Sequence, residues 1–173
     1  MFGLTSLGMF HTAISVFAVS AGVVALVRYQ AIGPDSRAGR IYIALTIATC
    51  LTGFGIFEHD GFGKPHALGV ITLATLAVAF LAAHSQLLGD LAPYVERVAY
   101  SLTFFFHIIP AMAESATRLP LGTPLLQSPE DPALQAANGV CFLLFLIGAT
   151  FQVRAIRRLH RQSPGIHGLG SQD

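Results

Sequence analysis

Long apolar stretches dominate this chain, and short polar stretches separate them. Apolar spans can be drawn at 7–26, 41–57, 66–88, 97–119 and 133–153. A helix needs roughly 20 residues to cross the hydrocarbon of a bilayer, so each span reads as transmembrane, the second being the shortest. The connecting segments have turn and loop chemistry: AIGPDSRAGR, EHDGFGKP, a break at Gly89 and Asp90, and the proline-rich PLGTPLLQSPEDP. Pro110 falls inside the fourth span, where it predicts a kink. A basic stretch, RAIRRLHRQ, follows the fifth span, and SPGIHGLGSQD ends the chain without apolar period. The pattern predicts an all-α integral membrane bundle of five transmembrane helices over 1–158, followed by a flexible cytoplasmic tail at 159–173.

Lipid gives helices no hydrophobic reason to associate, so contacts are expected along small residues. Span one offers His11, Ser15, Ala18 and Gly22 on one face, and span two offers Ala44, Ala48, Thr52 and Gly55, continuing to His59. Span three sets His66, Val70, Leu73, Ala77 and His84 in one row. Span five sets Asn138, Cys141, Gly148 and Gln152 in another. These rows are the expected inward faces.

Composition sharpens the class. The chain has 173 residues, 53% apolar and only 11% charged, with mean hydropathy +0.63. Soluble domains carry about 25% charged residues, so the balance is that of a membrane protein. A net charge of +1 gives no basic footprint for nucleic acid. Cys50 and Cys141 lie in apolar runs outside any CxxC spacing, and read as small buried hydrophobes. The first basic residue, Arg28, lies beyond the first apolar run, which predicts a retained first helix rather than a cleaved leader. Arg28, Arg37, Arg40, Arg97, Arg154, Arg157, Arg158 and Arg161 collect at one set of span ends, and Lys64 and Arg118 at the other. The positive-inside rule then puts the N-terminus outside and the C-terminus in the cytoplasm of a multi-pass inner-membrane protein. The tyrosines, Tyr29, Tyr42, Tyr94 and Tyr100, fall at the same cytoplasmic ends.

The chemistry lies in the polar residues of the spans. The stretch 94–120 reads YVERVAYSLTFFFHIIPAMAESATRLP, and His107, Glu114 and Arg118 follow one another at steps of seven and four. Those steps keep them on one helix face, with Thr103 one turn before. Ionisable groups within a membrane span are costly and mark function. Glu114 and Arg118 can also be an i,i+4 pair that ends the helix, but Glu114 is expected to belong to the polar site. His11, His59, His66 and Glu114 come from different helices and are expected near one level at the outer side. His107 lies about 10 Å deeper, by seven residues at 1.5 Å rise. His84 is placed at the cytoplasmic end, and His160 and His167 in solvent.

Two chemistries suit this set. Two imidazoles from different helices can hold the iron of haem b, with His11 and His66 as the expected axial pair and His107 as the alternative. The pocket would then pass electrons to or from a quinone or a partner. Alternatively His11, His59, His66 and Glu114 bind zinc, iron or copper as a metal-dependent hydrolase or metal-handling protein, with His107 relaying protons. A third reading makes the chain a non-enzymatic subunit or assembly factor of a larger membrane complex. Each histidine taken alone also has a plain role, as a hydrogen-bonding residue at a helix end. There is no HExxH, no CxxCH and no glycine-rich nucleotide loop.

The runs FHTAISVFAVSAGVVALVRYQ, SRAGRIYIALTIATCLTGFG and KPHALGVITLATLAVAF resemble a bacterial multi-helix membrane-protein family known as a domain of unknown function. That family's pattern opens the first span with His, precedes the second with an HRxxGxxY-like motif and opens the third with His. Here His11, the run Arg37-Ala38-Gly39-Arg40-Ile41-Tyr42 and His66 stand in those places, and HIIPAMAESATRLP is similar as well. The likeness covers about residues 8–120. It departs at Ser36, where the pattern has His, so a ligand at that place in relatives is missing here. The layout is also similar to small b-type cytochrome bundles.

Overall fold

The computed structural model describes residues 5–56, 61–120 and 122–162, all in helices and their connections, with no strand among them. Helix α1 spans Ser6–Tyr29. The Thr5 side chain caps its start by accepting the Gly8 amide at 3.1 Å, and Gln30 ends it in the left-handed conformation at φ 56°. Helix α2 spans Arg37–Gly53, and the Ser36 hydroxyl caps it by accepting the Gly39 amide at 3.0 Å. Helix α3 spans Lys64–His84, with Pro65 in its first turn, where a missing N–H costs nothing. A 3-10 turn at Gly89–Leu91, entered through Gly89 at φ 46°, leads into helix α4, Ala92–Arg118. Helix α4 continues through Pro110. Helix α5 runs over Pro132–Gln162.

The helices alternate in direction. Helix α1 packs on α2, α2 on α3 and α3 on α4, while α4 also touches α1 and closes the four into a bundle. Helix α5 lies against α4, and Gln152 reaches across to the Gln30 carbonyl at 3.3 Å. The core of the end that holds the first connection is Ala25, Ile32, Tyr42, Leu76, Ala79, Ala99 and Tyr100. Buried Ala18, Ala25 and Ala79 let the backbones approach, as the small-residue rule requires. Gly22 marks the tightest crossing: a Cβ there would stand 2.6 Å from the Phe104 ring and 3.0 Å from Tyr42. At the other end Lys64 meets Glu130 at 3.2 Å. The Ser128 hydroxyl, followed by Lys64, holds the exposed Glu130 carboxyl below its ordinary range.

Three helices, α1, α3 and α5, are long and apolar enough to cross a membrane. Only 6% of the apolar window of α5 is buried, so nearly all of it is left for lipid. Helix α2 has 17 residues and α4 is amphipathic. Helices α1 and α5 overrun their apolar spans at both ends, whereas α2 and α3 start before theirs and stop short of them, at Gly53 and His84, because backbone hydrogen bonding rather than hydropathy sets a helix end. Thus α2 starts at its Ser36 cap, and α5 extends to Gln162, well into the expected tail; residues 163–173 lie outside the described chain.

Two expected inward faces are rotated. In α2 the buried row is Gly39, Tyr42, Thr46, Thr49 and Cys50, while Ala44 is exposed. In α3 it is His66, Thr72, Leu76, Ala79 and Ala82, while Val70, Ala77 and His84 face outward. The Tyr42 hydroxyl finds its partner, Thr103, inside the bundle, and this turns the Tyr and Thr row inward ahead of the alanine row. In α1 the buried row of Ala18, Gly22 and Ala25 continues the expected face.

Gly39 gives a direct check on this packing. A Cβ at this position would collide with the Gly33 backbone, which cannot yield as a side-chain tip can. Gly39→Ala is expected to lower stability by about 1–3 kcal/mol. Gly148→Ala, with open space around its Cβ, is expected to be neutral or slightly stabilising. Thermal unfolding of the two variants in detergent measures the difference.

Candidate functional site

The inward face of α4 carries the site. Glu96, Tyr100, Thr103 and His107 follow at steps of four, three and four, so one stripe runs down the helix. Tyr100, Thr103 and His107 are all buried, and Glu96 is half-buried. The facing row of α2 is Tyr42, Thr46 and Thr49, all buried. The two rows meet where the Tyr42 hydroxyl stands 2.9 Å from Thr103 Oγ1. Thr103 donates its own proton to the Tyr100 carbonyl at 2.7 Å. Its oxygen is therefore the acceptor, and the Tyr42 phenol is the donor.

His107 lies one turn further along α4, 6% exposed, with its ring edge-on to Tyr42 at 6.1 Å between centroids. Neither Nδ1 nor Nε2 has a hydrogen-bond partner among the described residues. The Thr46 and Thr49 hydroxyls are buried and unpartnered too. Their behaviour is unusual for this chain. Thr12, Thr52, Thr72, Thr75, Thr117 and Thr150 each donate to the carbonyl four residues back, as mid-helix threonines do. Thr46 and Thr49 forgo that bond, and the Thr46 hydroxyl lies beside the Tyr42 phenol. Each buried, unsatisfied polar group costs about 1–3 kcal/mol.

His11 stands at the mouth of this region. Its Nδ1 is 3.0 Å from Thr52 Oγ1, whose proton goes to the Ala48 and Thr49 carbonyls at 2.9 and 3.1 Å. Thr52 oxygen thus accepts, His11 Nδ1 carries the proton, and Nε2 is left as the basic nitrogen. Gly53 makes room for the ring, since a Cβ there would stand 3.2 Å from His11 Cε1. His11 is close enough to His107 and to Glu114 to interact with both electrostatically.

The other expected site residues separate. His66 Nδ1 accepts the Gly63 amide at 3.3 Å as the third residue of α3, and its buried ring packs against Phe54 and Phe62 at 6.5 and 5.3 Å. It is a helix cap in contact with aromatic rings. Glu114 is 51% exposed and closes an ion pair with Arg118, itself 35% exposed, on the rim. His59 lies outside the described residues, as do Glu58, Asp60 and His167. Among the described residues no three His, Cys, Asp or Glu side chains gather as a metal-binding group. His84 bonds the Phe80 carbonyl at 2.9 Å and stacks on Phe80. His160 packs near Tyr94. Two apolar grooves, of about 590 and 440 Å³, run along α3–α4 and α1–α2, and no histidine lines either.

Sequence reasoning singled out His11, His107 and Thr103, and it did not single out Thr46, Thr49 or the partner role of Tyr42. Their signal was present as the 4,3 spacing from Tyr42, which matches the stripe on α4.

The tautomer of His11 is open to measurement. In ¹⁵N-labelled protein at neutral pH, His11 is expected to carry its proton on Nδ1. Thr52→Val removes the acceptor and should mix the two tautomers, while the His66 signals stay unchanged. No protein-family model matches this chain, and no curated protein and no solved structure matches it either.

Proposed function

We propose that all five helices cross a bacterial inner membrane, with the N-terminus outside, and that the His107–His11 region is a proton-handling site reached from the outer side. The carrying observation is His107: an imidazole buried in an apolar bundle, with neither ring nitrogen hydrogen-bonded among the described residues. A neutral imidazole has one N–H and one lone pair, so it takes a proton at one nitrogen and releases one from the other. The free hydroxyls of Thr46 and Thr49 can hand protons to it or hold water against it. His11 near the outer end is the entry group. Thr52 holds its ring so that the basic Nε2 is the nitrogen left open. Like charge on His11 and His107 is mutually unfavourable, which disfavours both rings carrying a charge at once.

The five-span reading rests on packing and charge. Helix α2, about 26 Å long at 1.5 Å per residue, packs against membrane-length α1 and α3. The low hydropathy of α4 comes from charged residues near its two ends and from Tyr100, Ser101, Thr103 and His107, which it turns inward. The arginine-rich ends all lie at the end of the bundle that holds the α1–α2 connection, which supports a cytoplasmic location for that end.

These contacts favour proton handling over haem b held by His11 and His66. The ring of His66 is held by Phe54, Phe62 and the Gly63 amide rather than facing His11 across an open cavity. A metal-dependent reading would draw on His59, outside the described residues, together with His11, His66 and an ion-paired, exposed Glu114.

Labelled protein in right-side-out vesicles tests the proposal. The ¹⁵N signals of His107 and His11 are expected to follow the external pH and not the internal pH. A His107 signal indifferent to external acid would overturn it. So would a pure preparation with a Soret band or a stoichiometric metal, which would make these imidazoles ligands instead.

A further inference from the structure

The polar groups do not stop at His107. On α4 the stripe continues through Thr103 and Tyr100 to Glu96, eleven residues away, or about 16 Å along the helix. That distance is half the hydrocarbon thickness, and it is the half that His11 and His107 do not reach. We propose that the Tyr42–Thr103 hydrogen bond links the His107 site to the Glu96 carboxyl at the opposite end, so that the bundle conducts protons across the membrane. This rests on His107 being a proton-handling group.

The hydrogen-bond directions carry the proposal. Thr103 gives its proton to the Tyr100 carbonyl, so the Tyr42 phenol must donate to Thr103. The phenol oxygen keeps its lone pairs for a donor on the His107 side, where the unpartnered Thr46 hydroxyl lies beside it. Every donor in this short chain therefore points from His107 toward Glu96. Tyr42 and Thr103 are each 0% exposed, so the link itself is shielded from solvent. Beyond it the Tyr100 side chain is 3% exposed and senses the charges of Glu96 and Asp35. Glu96 itself is half-buried at the bundle end, faced by Asp35 from the α1–α2 connection, Arg97 and Tyr100 on its own helix, and His84 at the end of α3.

Transfer needs no redox partner, and each group ends as it began. A proton arriving at one nitrogen of His107 releases another toward Thr46. Tyr42 accepts that proton on its oxygen as it gives its own to Thr103. Thr103 turns its hydroxyl away from the Tyr100 carbonyl and releases its proton past the Tyr100 hydroxyl to the Glu96 carboxylate. The resulting carboxylic acid ionises to solvent, and rotation of the hydroxyls resets the chain. The plainer role of the Tyr42–Thr103 bond is to tie α2 to α4, and a structural tie alone would not make proton flux depend on one oxygen atom.

Vesicles loaded with a pH-sensitive dye and carrying the full-length protein provide the test, under a potassium diffusion potential. The wild-type protein is expected to conduct protons above the level of protein-free vesicles. Tyr42→Phe keeps the ring and removes the oxygen, and should cut flux by about a hundredfold, the scale of a lost proton-transfer group. Thr103→Val should act like Tyr42→Phe, whereas Thr103→Ser, which restores the hydroxyl, should conduct. Glu96→Gln should also lose flux. In each variant His107 should still follow external pH, which separates a broken link from a lost site. Wild-type flux in Tyr42→Phe overturns the link. Wild-type vesicles no faster than protein-free ones, with His107 still titrating, overturn conduction and leave the site reading standing.

Discussion

A bilayer offers no water to a stranded hydroxyl, and that constraint decides how this bundle closes. The Tyr42 phenol has to find an acceptor inside the protein, and it finds Thr103 on the helix diagonally across. That bond orients α2 so that Tyr42, Thr46 and Thr49 point inward. It orients α4 so that Glu96, Tyr100, Thr103 and His107 do the same. Gly22 follows from it as well, because Tyr42 and Phe104 fill the space that a Cβ on α1 would need. The apolar cluster of Ala25, Leu76, Ala79 and Ala99 packs around the two tyrosines.

The segment before α2 serves the same end. Ser36 caps the helix, Gly39 lets the Gly33 backbone pass in contact with it, and Tyr42 supplies the buried phenol. Three residues of one short run thus set the start, the approach and the rotation of α2. Ser36 supplies the helix cap, as serine does well.

The helices were legible from hydropathy because a bilayer imposes a length, and length survives in any sequence pattern. Helix rotation was less legible. In α2 both the alanine row and the threonine row look like a small-residue face, and only the partner of the hydroxyls chooses between them. His107 stood out because a histidine eleven residues inside a largely apolar helical stretch has no ordinary reason to be there. Thr46 and Thr49 were not, since a mid-helix threonine normally bonds its own backbone and so carries no signal. The apparent level of His11, His59, His66 and Glu114 followed from depth alone. Depth says nothing about azimuth, and the structure divides the described members among a site mouth, a helix cap and a rim ion pair.

The histidines show how environment assigns the role of one residue type. His66 Nδ1 accepts a backbone amide, His84 Nδ1 donates to a backbone carbonyl, and His11 Nδ1 donates to a threonine whose own proton is committed elsewhere. Each of these rings has one nitrogen fixed by the fold, so each has a defined tautomer before any ligand is considered. His107 has neither nitrogen fixed. A ring tied at one nitrogen can present only the other, which suits a cap or an entry group. A ring tied at neither can exchange its donor and acceptor sides, and an imidazole must do that to pass a proton from one side to the other. Burial of such a ring costs stability, and natural folds keep costs of this kind mainly where function uses them. The least satisfied histidine of the described chain is therefore the one around which the polar stripe of α4 and the hydroxyl row of α2 make chemical sense.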